Sequence, residues 1–222
     1  MSKIKFSYNN IFFFLIIISL VASFIIYPTL PETIPSHWNI KGEIDGYSHK
    51  AFSLFTSLLP LGIYLLMNYL PRIDARKKMK LKGNKAYNSI SDALVLFFLL
   101  LHWIIIFSAL GYSVSTSRFL PIGIGILFLI IGYFMGDIKP NNIFGIKTPW
   151  TLANEIVWEK THQIGRFAFI FSGLIFIFAG IINKNYLFTT AIISIFLIIF
   201  FLFIYSYLEF RKLKKTPNKK EL

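Results

Sequence analysis

Four histidines and ten carboxylates are the groups in this chain best suited to move protons or hold a metal, and there is no cysteine. The missing thiol removes disulfides, thiolate zinc sites and cysteine nucleophiles. The remaining groups gather in three places. His37, Glu43, Asp45 and His49 lie in one short polar segment. Imidazoles and carboxylates so placed could bind a metal, but no known ligand spacing is present, and a hydrogen-bonded surface cluster is expected. Glu155, Glu159 and His162 share a helix face by i+4 and i+3 steps. An acid–base or metal trio would use that spacing; so would a solvated helix face, which is the expectation adopted. His102 stands alone in an apolar run. An ionisable group inside a membrane is a functional candidate by default. With no second titratable group in any apolar run, a proton relay has no other half, and a hydrogen bond to Asn68 or a tyrosine of a neighbouring helix is the structural reading. No H-E-x-x-H, G-x-S-x-G, phosphate loop or G-x-G-x-x-G occurs. No catalytic residue, metal or cofactor is assigned, and the chain is not read as an enzyme.

The elements around these groups are set by apolar runs. Six stretches carry no charge: 6–31, 51–71, 93–117, 119–136, 167–183 and 185–208. A spanning helix needs ~20 mostly apolar residues. The expected fold is therefore an all-α integral membrane protein, a six-span helical bundle. The run at 6–31 resembles a signal peptide in its basic start, but its apolar block is long and no A-x-A site follows, so an uncleaved first helix is expected. Gly123, Gly125 and Gly132 in the fourth run, and Gly173 and Gly180 in the fifth, either let helices approach closely or mark local flexibility.

A net charge of +13 on a soluble chain would suggest nucleic acid. Here the charges alternate with the spans, and no direct nucleic-acid contact is expected. Of 23 Lys and Arg, 19 fall on the amino terminus, loops two and four and the tail, and 4 on loops one, three and five. Cations accumulate on the cytoplasmic side. Both termini are thus expected in the cytoplasm, in a multi-pass cell-membrane protein. The RKKMKLK stretch in loop two and the lysine-rich tail suit an anionic inner leaflet, each cation contributing about 1 kcal/mol.

Two polar loops look ordered. Loop one, 28–50, leaves the membrane extended, because Pro28, Pro31 and Pro35 oppose helix. Lys41-Gly42 and Asp45-Gly46 are turn dipeptides flanked by Trp38, Ile40, Ile44 and Tyr47, which suggests a small outer hairpin. Loop four, 137–166, has turns at Pro140-Asn141-Asn142 and Gly145. Thr148-Pro149 then reads as an N-cap with proline at the first helical position. A helix from Trp150 to Gln163 is expected, lying along the inner leaflet as an amphipathic element with Trp150, Asn154, Trp158, Thr161 and His162 on one face.

Together the two loops resemble those of the SdpI family of bacterial membrane proteins. The outer motif is carried by Ile34, Pro35, His37, Trp38, Asn39, Gly42, Asp45 and Gly46. It resembles a domain of unknown function that often precedes the SdpI region. The inner block is carried by Lys139, Pro140, Asn141, Gly145, Ile146, Lys147, Thr148, Pro149, Trp150, Thr151, Leu152, Trp158, Thr161 and His162. Lys147 and Gln163 stand where the family often has Arg, and Tyr133 follows Gly132 where Asn is common. Lys lacks the planar fork of Arg. The resemblance implies a three-part chain: 1–70 with the outer loop, a basic loop 71–92, and an SdpI-like region 93–222. It also implies a non-enzymatic immunity role, protecting the cell against a secreted peptide toxin and holding a repressor at the membrane. The alternatives are a small-solute transporter or channel, whose spans would need more polar lining than these offer, and an inner-leaflet enzyme using Glu155, Glu159 and His162.

The topology has a direct check. A reporter active only in the cytoplasm should work when fused after Leu222 and fail when inserted near Gly42; the reverse pattern would exchange the two faces.

Overall fold

The computed structural model describes residues 8–39, 41–73 and 84–215. The basic stretch of loop two at 76–82 and the tail beyond 215 lie outside the described residues. The chain runs α1 (Tyr8–Ile26), one 3-10 turn (Tyr27–Thr29), β1 (Thr33–Trp38), β2 (Ile44–His49), α2 (Ala51–Ile73), α3 (Lys85–Ala109), α4 (Thr116–Met135), α5 (Pro149–Ala153), α6 (Glu155–Ile182) and α7 (Asn185–Lys215). Among the described residues six helices, all but α5, are long and apolar enough to cross a membrane. Neighbours in sequence are neighbours in space. α1 packs on α2 and α3, α2 on α3, α3 on α4, α4 on α6, and α6 on α7. Phe167, Phe171, Phe178, Phe196 and Phe200 point outward and are more than half exposed. Aromatic rings on the outside suit a hydrocarbon solvent and would be a liability in water.

The α4–α6 contact is made by backbone. A Cβ placed on Gly125 would sit 2.6 Å from the Gly173 carbonyl oxygen, and one on Gly173 would sit 2.8 Å from that of Gly125. Gly132 meets Ile170 and the Arg166 carbonyl; Gly180 meets Ile122 and the Arg118 carbonyl. The glycines recur every seven residues on each helix, so one seam runs the length of both. In lipid, where apolar surface gains little by leaving solvent, such close packing is what holds helices together. Of the two readings of these glycines, close approach is the one the structure adopts at Gly125, Gly132, Gly173 and Gly180. Gly123 faces α3 instead, near Leu100 and Phe97.

The helices outrun the charge-free runs. α6 has 28 residues and begins at Glu155, so Glu159, Lys160, His162 and Arg166 belong to a spanning helix. α3 starts at Lys85, capped by the Asn84 side chain on the Tyr87 amide, and so contains Asp92. Glu209 lies within α7. His102 is therefore not alone among titratable groups on the spanning helices. Hydropathy marks the lipid core, whereas capping sets where a helix starts, and the two differ by several residues at each end.

The expected helix 150–163 is also revised. Thr148 caps α5 through a reciprocal pair of hydrogen bonds with Thr151. Asn154 then breaks the helix, at φ −146° and ψ 125°, and its side chain accepts from the amides of Ile156 and Val157 to start α6. Residues 155–163 are the first turns of α6 and not a separate helix.

The seam predicts a sharp contrast between glycines. Gly173→Val should lower stability by at least about 1–3 kcal/mol, the usual cost of overpacking, read as an earlier melting transition in detergent. Gly62→Ala, with nothing within 4 Å of the added carbon, should leave the transition unchanged or raise it slightly.

Candidate functional sites at the two ends of the bundle

At one end β1 and β2 form an antiparallel hairpin, with Thr33 opposite His49 and Trp38 opposite Ile44. Ile34 is fully buried against Leu30, Ile105 and Ile106, with Trp38 packed beside them, and this anchors the hairpin to α3. Pro35 is also buried. The turn is closed by Asn39. Its side-chain oxygen accepts from the amides of Lys41 and Glu43, and its amide group donates to the Glu43 carboxylate. Gly42 has φ +78°, which favours glycine, and its carbonyl accepts from Thr116 Oγ1 at 2.9 Å. A Cβ on Gly42 would lie 2.5 Å from that of Ser117. Gly46 sits opposite His37 at a register shift, where a Cβ would meet the His37 Cβ at 2.8 Å. The expected surface cluster is present as pairs. Exposed His37 is bonded through Nδ1 to Asp45, and His49 lies 3.4 Å from Glu32. Among the described residues no group of three or more His, Asp or Glu could hold a metal. Lys50 lies 2.9 Å from Glu32. Its hydrogen bond and charge hold the Glu32 carboxyl below its usual value, and the Glu32 bond raises Lys50. This exposed pair helps the hairpin above the ordinary carboxylate range, and its help is lost as pH falls through the lowered Glu32 value.

The hairpin roofs a cavity of about 270 Å³ against α4 and α7. His37, Trp38, Asn39 and Gly42 contribute from above, with Thr116, Ser117, Leu120 and Pro121 of α4 and Phe188 and Ile192 of α7 below. The α4 and α7 residues escaped the sequence reading. They are ordinary apolar and small hydroxyl residues of spans, and only the fold brings them under the hairpin.

At the opposite end residues 136–148 fold back over the start of α6 as a clip. Asn141 is fully buried; its side chain donates to the carbonyls of Lys139 and Phe144 and accepts from the amides of Ile143 and Phe144. Trp158 is fully buried, and its Nε1 donates to the Ile138 carbonyl at 2.7 Å. His162 is fully buried and stacks on Trp158, ring centres 4.1 Å apart. Its Nε2 accepts from the Ile146 amide at 3.0 Å, so the ring proton sits on Nδ1 and is donated to the Trp158 carbonyl. Gly145, at φ +119°, permits this: a Cβ there would be 2.5 Å from His162 Nε2. Lys147 donates to the carbonyls of Asn142 and Ile143. Thr151 Oγ1 donates to the Ile146 carbonyl, and Thr148 Oγ1 donates to Ser206 Oγ of α7 at 3.0 Å. Trp150 packs on Phe203 and Tyr207 of α7. Pro140 is buried, while Lys139 and Pro149 are exposed. Thr161 is fully buried with its hydroxyl unpaired among the described residues.

This corrects two expectations. Trp158, Thr161 and His162 do not form a wet interfacial face, because the clip covers them. Nor does His162 share the solvated helix face that was expected of it together with Glu155 and Glu159. Both glutamates are exposed, whereas both ring nitrogens of His162 are engaged beneath the clip. A group the sequence reading passed over lies beside the clip: the Glu209 carboxylate, only 6% exposed, bridges Lys160 at 2.8 Å and Lys212 at 2.7 Å.

His102 is buried at the junction of three helices. Its Nε2 lies 2.8 Å from Ser23 Oγ of α1 and its Nδ1 3.0 Å from Thr56 Oγ1 of α2. Ser23 already donates to the Ser19 carbonyl. Thr56 Oγ1 likewise donates to the Ser53 carbonyl at 3.0 Å, so each hydroxyl is shared between a backbone carbonyl and the ring, and the neutral ring donates from one nitrogen and accepts at the other. The partners are Ser23 and Thr56, and not Asn68 or a tyrosine: small hydroxyls fit a three-helix junction. Trp103 Nε1 donates to Ser19 beside it. These bonds tie α1 into the bundle.

The clip yields a test by contrast. Trp158→Ala and Gly145→Ala should each lower the melting transition in detergent, the first by about 3–5 kcal/mol as a core truncation. Glu159→Ala should change it by less than about 0.5 kcal/mol, as for other surface positions.

Comparison with known proteins follows the same division. Residues 14–62 match the family described as Domain of unknown function (DUF1648), which spans the hairpin, and 137–207 match the SdpI/YfhL protein family, which spans the clip. The protein named Immunity protein SdpI, from Bacillus subtilis (strain 168), is 27% identical over 205 residues, 92% of this chain and 97% of that protein. No solved structure matches. The chain therefore carries an SdpI/YfhL family region behind a DUF1648 region, in a six-span membrane protein similar to an immunity protein.

Proposed function

We propose that this protein is a non-enzymatic immunity protein that shields its cell from a secreted, membrane-active peptide toxin. The hairpin faces outward and the clip faces the cytoplasm, as the distribution of Lys and Arg supports. In this reading Pro35, His37, Trp38, Asn39, Gly42, Asp45 and Gly46 shape the face that meets the toxin. Lys139, Pro140, Asn141, Gly145, Lys147, Thr148, Pro149, Trp150, Thr151, Trp158, Thr161 and His162 shape a cytoplasmic face able to hold a repressor. The three-part division 1–70, 71–92 and 93–222 follows the same logic. One observation carries most weight: two ordered elements, each built from a family block, close opposite ends of one bundle, and a relative covering nearly the whole chain bears the name of an immunity protein. The interior favours neither alternative. His102 and its neighbours bond to one another, and His162 is held by the clip.

Expression in a toxin-sensitive host should raise survival against a panel of secreted peptide toxins of this class. His37→Ala combined with Asp45→Ala, which alters an exposed pair, should reduce protection at least tenfold while the protein inserts at normal level. No protection against any toxin of the panel would overturn the reading.

A further inference from the structure

The cavity under the hairpin joins an apolar floor to a polar rim of His37, Asn39, Thr116 and Ser117, with exposed cations close by in the chain. Leu120, Pro121, Phe188 and Ile192 make the floor, and Trp38 closes one wall. Two exposed cations that do not themselves line the cavity adjoin its rim in the chain, Lys41 next to Gly42 and Arg118 next to Ser117. Those two segments touch, since Gly42 lies against Ser117 and accepts from Thr116. Lys184 stands one turn before Phe188, whose amide bonds to its carbonyl. Among the described residues no carboxylate pairs with Lys41, Arg118 or Lys184. The nearby acids are already engaged, Asp45 by His37 and Glu43 by Asn39. The hairpin-side loops carry only 4 of the chain's 23 cations, the fourth being Lys50, which is paired with Glu32. Three exposed cations, each within a turn of a lining residue and without a carboxylate partner among the described residues, suit a ligand that is anionic at one end and apolar at the other.

We infer that this cavity binds an anionic phospholipid of the leaflet on the hairpin side. The phosphate lies between Lys41, Arg118 and Lys184, and part of one acyl chain lies on Leu120, Pro121, Phe188 and Ile192. The cavity, at about 270 Å³, is slightly smaller than the roughly 300–1,000 Å³ of sites that enclose a whole small ligand, so it takes a segment of chain and not the lipid entire. Its place at the ends of α4 and α7 is the depth at which headgroup meets chain. Charge favours lipid over a basic amphipathic peptide, because like charges at this mouth would repel such a peptide. This inference stands apart from the immunity reading, and either can fail alone.

Native mass spectrometry of the full chain, purified in detergent and offered equal phosphatidylglycerol and phosphatidylcholine of the same chain length, tests it. The wild type should retain one phosphatidylglycerol at least tenfold over phosphatidylcholine. Glycerol phosphate at millimolar concentration should not displace it, which separates a lipid from a free phosphate. Lys41→Gln with Arg118→Gln should remove the preference between headgroups. Leu120→Trp, which fills the floor, should abolish retention of either lipid. Should Leu120→Trp fail to fold, the double charge variant decides alone, since both side chains are at the surface. Equal retention of the two lipids by the wild type would overturn the proposal. So would an unchanged preference in the double variant, or displacement of the lipid by an amphipathic peptide that then stays bound.

Discussion

The approach of α4 to α6, backbone against backbone at Gly125 and Gly173, is the constraint on which the molecule rests. Helices in lipid gain little from hiding apolar surface, so they must gain from close contact. These two helices achieve it along their whole length, and each end of the pair then carries one of the ordered loops. The start of α4 receives the hairpin through Thr116 and Ser117. Its far end runs directly into the clip that covers Trp158 and His162 on α6. A shift of α4 along α6 would therefore be felt at both loops.

Polar groups inside the bundle follow a second constraint. An unsatisfied donor or acceptor in hydrocarbon costs several kcal/mol. The structure answers with local closure. Asn141 uses both ends of its amide within one turn, and the amide of Ile146 finds His162 in place of water. The block with the strongest family resemblance thus spends most of its polar atoms on holding itself together. What it leaves outside includes Lys139, Asn142, Lys147, Glu155, Glu159 and Lys160. Chemistry on that face is the chemistry of a surface that another molecule can touch. The hairpin differs: His37, Asp45 and Lys41 stay exposed above a cavity.

Much of this was legible in the sequence because hydrocarbon imposes a coarse rule. Six apolar runs became six helices, and Lys41-Gly42 makes the hairpin turn, whereas Asp45-Gly46, expected as a second turn, lies within β2 at a register shift. The boundaries were less legible. Charge-free length locates the lipid core, but Asn84 and Asn154 start their helices outside it. The helix expected over 150–163 failed for that reason: two capping signals, Thr148-Pro149 and Asn154-Glu155, stand close together, and the second begins the span. His162 looked like part of a solvated face because spacing along a helix cannot reveal that a loop from another part of the chain lies over it. The cavity was invisible for the same reason. Leu120, Phe188 and Ile192 gain meaning only when α4 and α7 are brought beneath the hairpin.

The second block is a clip fastened to α7 through Thr148 and Trp150, and not a free-standing amphipathic helix. The absence of native cysteine makes a direct measurement available. Thr148 Oγ1 and Ser206 Oγ lie 3.0 Å apart, close to the reach of a disulfide. In membranes carrying Thr148→Cys with Ser206→Cys, mild oxidation should join the two thiols, seen as protection from alkylation that a reductant reverses. Two thiols that stay fully alkylated after oxidation, in protein inserted at normal level, would show that the clip is not fastened to α7.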